Sequence, residues 1–555
     1  INTVRGQETG YATLNPLNTD IVNSATLTDG NLKLSALTFG HYIDSRSTIA
    51  ASITNCYCEM KVEDRTGSGL AGIGVGDQRS RISSGTGSYL NYRESGAIVK
   101  YPGNTTVETV SGYTTGDVIG MTITSTQVAF YKNGALQGTY DHDLTGDFFV
   151  TGMAYHNGNN CILDFNFGQK PFKFAPPDGF QPLNTANTRP VKVISRPDQY
   201  VGVTTYNGNG GTQSIDVGHE PDLLWFKNRD DTSQGAHRLF DTVRGSNKTL
   251  YPSFDLVEAE VANSLNSFNY NGFTVGSGNW VNGTNDGMVA WSWKAGGKKG
   301  TFNVDGVGYA SAAAAGFGGS ATITGASVGT KQGFGIIKYT GTGGNTTVGH
   351  NLGKSPSFIV IKCIETERGD AWRVWHTSLD ANERLVFSDT NARGSASTLW
   401  QNTLPTSTVF YLDSDNRYNS TGDDHIAYLW CNVPGLQKFG SYIGNGASDG
   451  GGSGGHEGPF IELGFRPALI WIKNADVAAD WMIHDTKRSP YNTAYQSLKI
   501  NESAAENGTS TLHEIDILSN GFRIRNGDAQ FNTVDKEYIY CAWAEAPSID
   551  LYGGG

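Results

Sequence analysis

The sequence predicts an all-β chain of several domains, for three reasons. Its composition favours strands and tight turns, its length exceeds one hydrophobic core, and one strand pattern recurs three times in the C-terminal two-thirds. Glycine supplies 72 of 555 residues and charged residues only 17%, against about 7% and about a quarter in ordinary proteins. Twenty-five tyrosines and 25 phenylalanines stand among many threonines, serines and asparagines. Aromatic and β-branched side chains pack on pleated surfaces, while glycine and asparagine supply turn conformations. A hydrophobic share of 37% is enough to bury real cores, which a disordered chain could not do. A chain of this length divides into domains.

The whole-chain numbers also narrow the partners. A net charge of −12 repels phosphate backbones and anionic lipid, so neither nucleic acid nor membrane is an expected partner. No apolar run approaches the roughly 18–20 residues that span a bilayer. Cys56, Cys58, Cys161, Cys363, Cys431 and Cys541 lack CxxC or His-rich spacing, so free thiols are expected, with no zinc site and no disulfide framework. Ile1 in first position fits a processed chain or the ordered part of a longer one.

The first 44 residues read as an arm of edge strands leading into a sandwich over 45–187. Turn pairs punctuate this region at Asp29-Gly30, Asn133-Gly134 and Asp178-Gly179, because Asn-Gly and Asp-Gly supply the positive φ angles of tight hairpins. Two strand phrases, Tyr57-Cys58-Glu59-Met60-Lys61-Val62 and Ala71-Gly72-Ile73-Gly74-Val75-Gly76, precede Gly116-Asp117-Val118-Ile119-Gly120 and Val128-Ala129-Phe130-Tyr131-Lys132-Asn133-Gly134. Asn166-Phe167-Gly168-Gln169, Pro171-Phe172 and Pro176-Pro177-Asp178-Gly179-Phe180 close the stretch. In these motifs the region resembles SPRY domains, which implies a concanavalin-like sandwich of two sheets.

The repeat comes next. Tyr206-Asn207-Gly208, Tyr339-Thr340-Gly341 and Tyr442-Ile443-Gly444 each precede a proline-to-lysine run: Pro221 to Lys227, Pro356 to Lys362 and Pro467 to Lys473. Each run reads as a buried strand opened by proline. A second strand follows in His237 to Thr242, Trp372 to Thr377 and Trp481 to Thr486. Asn271-Gly272-Phe273-Thr274-Val275 is echoed by Thr408-Val409-Phe410 and by Asn520-Gly521-Phe522-Arg523-Ile524. A closing strand ends each copy at Trp293, Trp430 and Trp543, which lie 66, 68 and 70 residues beyond the three lysines. Four features in one order, three times, predict three β-sandwich-like domains at 188–296, 333–435 and 436–549. The Gly/Ala-rich stretch 297–332 reads as a linker, the turn at Pro434-Gly435-Leu436 as a rigid junction, Asp449 to Gly458 as an insertion, and 550–555 as a tail.

A wider likeness covers nearly the whole chain. Tyr11-Ala12-Thr13-Leu14-Asn15-Pro16-Leu17, Val243-Arg244-Gly245 and Gly306-Val307-Gly308-Tyr309-Ala310-Ser311-Ala312 are similar to phrases in tail and appendage proteins of bacteriophages. That resemblance implies a structural virion protein made in the host cytoplasm. It also implies other phage structural proteins as neighbours, a bacterial surface receptor such as a polysaccharide, and a homotrimer. A head-decorating or baseplate component is the first alternative and a polysaccharide depolymerase the second.

No motif points to catalysis or to a cofactor. Gly325-Ala326-Ser327-Val328-Gly329 and Gly451-Gly452-Ser453-Gly454-Gly455 match the serine nucleophile elbow in letters only, since no helical pattern follows either. Asp413, Asp415, Asp423 and Asp424 read as solvated loop acids; Arg417 interrupts any EF-hand spacing. Trp293, Trp430 and Trp543 share a column and read as core. Val281-Asn282, Tyr418-Asn419 and Phe531-Asn532 also share a column, with asparagine expected to form a turn and its neighbour expected at the surface. Trp280, Trp400, Tyr418 and Tyr491 are therefore candidates for stacking on sugar rings. Tyr89, Tyr92, Arg93 and Tyr101 are the corresponding candidates in the SPRY-like region.

Overall fold

The computed structural model describes residues 10–544, apart from 20–25, 37–40, 54, 67–68, 78–86, 145–146, 157–159, 185–186, 188–192, 232–234, 367–371, 448–457 and 509–512. The expected insertion at 449–458, apart from Gly458, and the tail at 550–555 thus fall outside the described residues. The chain is all-β and forms two compact units, 1–191 and 192–555.

The first unit is a sandwich of two antiparallel sheets. One runs in the order Leu14–Thr19, His41–Ala50, Phe148–His156, Leu70–Asp77, Tyr89–Arg93, Ala97–Tyr101, Thr105–Thr109. The other runs Ala135–Asp141, Gln127–Lys132, Val118–Ile123, Cys56–Arg65, Cys161–Asn166, Lys33–Ala36, Thr26–Thr28, with Gln181–Pro182 parallel to Cys56–Arg65. Alternate residues of facing strands fill the space between, including Cys58, Met60, Ile73, Val75, Tyr92, Met121 and Phe130. The sandwich reaches back beyond the expected start at 45, since Ala12, Leu14 and Leu34 belong to the same core. Asn133 and Gly134 both take positive φ, at 48° and 82°, the turn geometry expected of Asn-Gly.

The second unit contains the three copies, with one strand order in each. In copy 1 the main sheet runs Val201–Asn207, Gly287–Trp293, Leu223–Asn228, Arg238–Asp241, Gly245–Leu250. Copy 2 runs Phe334–Thr340, Asp424–Trp430, Phe358–Cys363, Trp372–His376, Glu383–Val386. Copy 3 runs Gln437–Ile443, Glu537–Ala544, Pro467–Asn474, Trp481–Asp485, Leu498–Lys499. Register is kept as well: Trp293 lies opposite Leu223, Trp430 opposite Phe358 and Trp543 opposite Leu469.

Both faces of each main sheet are buried, which is why its central strands read as continuous apolar runs. The outer face packs on a small sheet of its own copy: Leu224, Phe226 and Phe240 in copy 1, Ile359 and Ile361 in copy 2, Ile470 and Ile472 in copy 3. The inner faces do something the sequence does not announce. Leu223, Trp225, Trp291 and Trp293 from copy 1, Phe358, Val360 and Trp430 from copy 2, and Leu469, Trp471 and Trp543 from copy 3 form one shared core. The three closing tryptophans form a triangle with ring centroids 6.1, 5.5 and 6.2 Å apart, all edge-to-face. The three sandwich-like copies are thus closed around one core within a single compact unit.

Polar contacts lock that ring, and they run in one sense. Lys227 of copy 1 donates to the Ser503 carbonyl of copy 3 at 3.3 Å, Lys362 of copy 2 to the Asp255 carbonyl of copy 1 at 3.2 Å, and Lys473 of copy 3 to the Thr390 carbonyl of copy 2 at 3.1 Å. The same rotation relates His237 and the Lys499 carbonyl (2.9 Å), Trp372 and the Tyr251 carbonyl (3.0 Å), and Trp481 and the Val386 carbonyl (2.8 Å). Burial pushes the Lys227 and Lys473 ammonium groups down to about 8, because a low-dielectric site disfavours charge. The repeated lysine thus joins copies and is not a solvent-facing strand end.

The stretch 297–332 is not a spacer. Phe302–Val304 and Val307–Tyr309 form a hairpin, and Thr322–Gly329 pairs with both Phe302–Val304 and Phe334–Thr340, so this segment extends the sheet of copy 2. Asp305 and Gly306 turn the hairpin with φ of 51° and 82°. Composition suggested a flexible link; backbone pairing decides otherwise. Ser327 of the apparent elbow motif lies within that strand and donates to the Gly297 carbonyl at 2.8 Å.

Candidate functional site

The Tyr-x-Gly phrase and the later asparagine prove to be two halves of one clasp. The hydroxyls of Tyr206, Tyr339 and Tyr442 donate to the carbonyls of Val281, Tyr418 and Phe531 at 2.5, 2.6 and 2.8 Å. Asn282, Asn419 and Asn532, all fully buried, accept from the backbone N–H of Asn209, Thr342 and Asn445 at 2.9, 2.8 and 2.8 Å. Their amides donate back to the carbonyls of Gly211, Gly344 and Ala447. The glycine is required because a Cβ on Gly208, Gly341 or Gly444 would lie 1.9, 2.1 or 2.2 Å from a backbone carbonyl oxygen. Gly341→Ala is accordingly expected to cost about 1–3 kcal/mol by overpacking, measured as a lower urea midpoint.

This clasp corrects part of the expected site. Val281, Tyr418 and Phe531 are wholly buried beside their asparagines. Tyr418 stacks on Trp400 with centroids 4.8 Å apart and 11° between planes. The Tyr418 hydroxyl donates to Asp413 at 2.6 Å and the Trp400 indole donates to the Glu383 carbonyl at 2.9 Å. With 0% and 3% exposure, Tyr418 and Trp400 have no face to offer a ligand. Asp413 is likewise buried, at 3%, and is not a solvated loop acid.

In the first unit Tyr92 points into the core against Tyr113 and Phe130, so it also leaves the candidate set. Tyr89 and Tyr101 are a stacked cross-strand pair, 5.2 Å apart with 8° between planes, but Tyr89 is only 2% exposed. Arg93 shares their face and donates to Asn104 at 3.2 Å. What remains accessible there is the half-buried Tyr101 and Arg93.

Two candidates stay at the surface. Tyr491 is 83% exposed and its neighbour Tyr495 is 42% exposed. Their loop is pinned, because Asn492 donates to the Ile517 carbonyl at 3.0 Å and accepts from its N–H at 2.8 Å, while Ala494 pairs with Ile515. Asp485 to Leu498 spans four residues more than Asp241 to Leu250 in copy 1, and the added length carries the tyrosines outward.

Trp280 belongs to a more elaborate arrangement. It sits on the one-turn helix Asn279–Asn282, and its indole donates to Ser264 at 3.0 Å. Arg238, on the outward side of its strand, places its guanidinium 5.0 Å from the Trp280 ring and 4.3 Å from the Tyr251 ring. All three side chains are half-buried. The Arg238 Nε is shut off from solvent and has no acceptor. A cation held between two ring faces is attracted by both, and the assembly presents aromatic surface beside a hydrogen-bond donor. Sequence reading found Trp280 but missed Arg238 and Tyr251. The available signal was the alignment of copies, in which Arg238 matches Arg373 while Tyr251 matches Val386 and Lys499.

Residues 196–547 match a family described as a domain of unknown function, DUF7483. The chain belongs to the DUF7483 family. The DUF7483 match covers the three copies, including the Trp280 and Tyr491 surfaces. Among solved structures the chain is similar to the SPRY domain of human HERC1, at 17% identity over 28% of this chain and 99% of that one with a TM-score of 0.24. It is similar to another human SPRY domain at 18% identity over 26% and 97%, TM-score 0.23. It is also similar to carbohydrate binding module CBM66 from Bacillus subtilis at 14% identity over 29% and 94%, TM-score 0.19. No curated protein matches the sequence.

Proposed function

We propose that this chain is a non-enzymatic structural component of a bacteriophage particle, a tail fibre or similar appendage, whose second unit holds glycans of the bacterial surface. The observation that carries the glycan part is the Tyr251–Arg238–Trp280 assembly on a frame closed by one shared core. Aromatic faces pack on sugar C–H surfaces, and recognition commonly sits on loops positioned by a rigid scaffold. The exposed Tyr491 and Tyr495 supply a second, separate surface. Weak contacts at each site add through avidity when many chains share a particle. The virion part is supported by the phrases at Tyr11 to Leu17, Val243 to Gly245 and Gly306 to Ala312.

The test is adhesion. Fluorescent full chain is expected to coat host cells, and Trp280→Ala with Tyr491→Ala together to reduce coating at least tenfold while the chain still melts cooperatively above the assay temperature. Undiminished coating would remove both surfaces from the reading. New reducing ends released from host capsule would remove the non-enzymatic part.

One observation favours a second reading, a head-decorating or baseplate component that binds only virion proteins. In the first unit the edge strand Thr105–Thr109 is exposed at every residue, and Val107 and Leu136 are 50% and 57% exposed. Unpaired edges accept strands from other chains. Immunogold labelling of particles separates the readings by position: fibre tips support adhesion, capsid or baseplate decoration overturns it.

A further inference from the structure

Comparison of the copies at the Trp280 surface points to the charge of the ligand; this step rests on the glycan reading. In copy 2, Arg373 lies in the column of Arg238 and has a fully buried side chain. Its Nε lies 3.5 Å from Asp415. Asp415 also caps the one-turn helix Asn416–Asn419 by accepting from the Arg417 N–H at 3.0 Å. In copy 3 the acid is kept as Asp528, which accepts from the Gln530 N–H at 2.8 Å, while the arginine is replaced by Met482. Copies 2 and 3 therefore have either arginine with its acid or the acid alone.

Copy 1 keeps the arginine and has lost the acid. Gly278 stands at the Asp415 position and caps Asn279–Asn282 with no side-chain bond. Trp280 stands where copy 2 has Arg417. An ideal Cβ on Gly278 would lie 3.0 Å from the Trp280 Nε1, so the indole has taken the space an acidic side chain would enter. Among the described residues Arg238 forms no ion pair, and its Nε has no acceptor. Tyr251 and Trp280 lie over the guanidinium, and since its Nε is closed off from solvent, the edge formed by the two Nη groups is the part a ligand can reach. That edge carries the paired donors that match the two oxygens of a carboxylate.

We infer that Arg238 binds the carboxylate of a uronic-acid sugar, the ligand supplying the counter-charge that Asp415 supplies in copy 2. Tyr251 and Trp280 flank the guanidinium and offer their remaining surface to the sugar ring.

The experiment is calorimetric titration of the full chain with trisaccharides of galacturonate, glucuronate and mannuronate, each also as its methyl ester, with neutral maltotriose beside them. At least one acid trisaccharide is expected to bind, its methyl ester at least tenfold more weakly. Arg238→Met, the residue copy 3 carries in that column, is expected to weaken binding tenfold or more. The pair Gly278→Asp with Trp280→Arg, which transplants copy 2's arrangement, is expected to abolish it with an unchanged melting temperature. Equal affinity for acid and ester, undiminished binding by Arg238→Met, or no acid trisaccharide bound while the chain still coats cells would each overturn the acidic-sugar inference and leave adhesion standing. Loss of cell coating as well would overturn both.

Discussion

Trp543→Ala is expected to cost the second unit about 3–5 kcal/mol, the range for removing a buried tryptophan, and to lower the melting of all three copies together. Trp543 packs edge-to-face on Trp293, Trp430, Trp471 and Phe439, with centroids 5.5, 6.2, 4.8 and 5.6 Å away. Two of these partners belong to other copies, so the cavity opens at a place no copy owns alone. Calorimetry should show one transition for the second unit moving down as a whole, with the first unit's transition in place. A transition that splits, with copies 1 and 2 melting as before, would show that each copy holds itself together. Trp280→Ala serves as the comparison, since a half-buried ring at the rim is expected to cost far less.

Acid is expected to destabilise the second unit from about pH 6.5 downward, above the range in which ordinary carboxylates titrate. Burial holds His219 and His350 down to about 4 and His376 to about 3, and pushes His237 and His484 well below the ordinary value near 6.5. A histidine kept neutral in the folded state binds its proton only when the chain unfolds. Its stabilising contribution is therefore complete above pH 6.5 and is lost as pH falls toward the folded value. His219 and His350 alone account for about 3 kcal/mol each between pH 7 and pH 4. Asp222 works in the opposite direction, since burial raises it to about 6, and it offsets about one histidine. Urea midpoints measured from pH 7 to pH 4 should fall steeply below 6.5; a flat profile to pH 4.5 would contradict the burial of these rings.

Much of this architecture was legible because strand columns survive duplication. Trp293, Trp430 and Trp543 could be aligned from sequence, and they occupy equivalent registers. The shared core was not legible. A strand apolar on both sides looks the same whether its second face meets a small sheet of its own copy or the main sheet of another. The segment 297–332 was misread because alanine and glycine describe what side chains lack, whereas Thr322–Gly329 is held by backbone pairing. Tyr418 and Trp400 sit in a polar, turn-rich stretch that suggests the surface. Their burial depends on acceptors, Asp413 and the Glu383 carbonyl, that only the folded chain brings near. Arg238 drew no attention because a single arginine in an amphipathic strand is ordinary; its distinction lies in the missing acid at Gly278.

The ring of lysine and indole contacts has a consequence for how such a surface can change. A true homotrimer shows the same patch three times, and any substitution is copied to every subunit. Here the trio is written in one polypeptide, so the outward loops can be edited one at a time. Each copy already differs there: Arg238 without an acid, Arg373 with Asp415, and the lengthened loop bearing Tyr491. On the adhesion reading, a single frame can thus carry three unlike loop surfaces, and exchanging one outer loop would leave the other two in place.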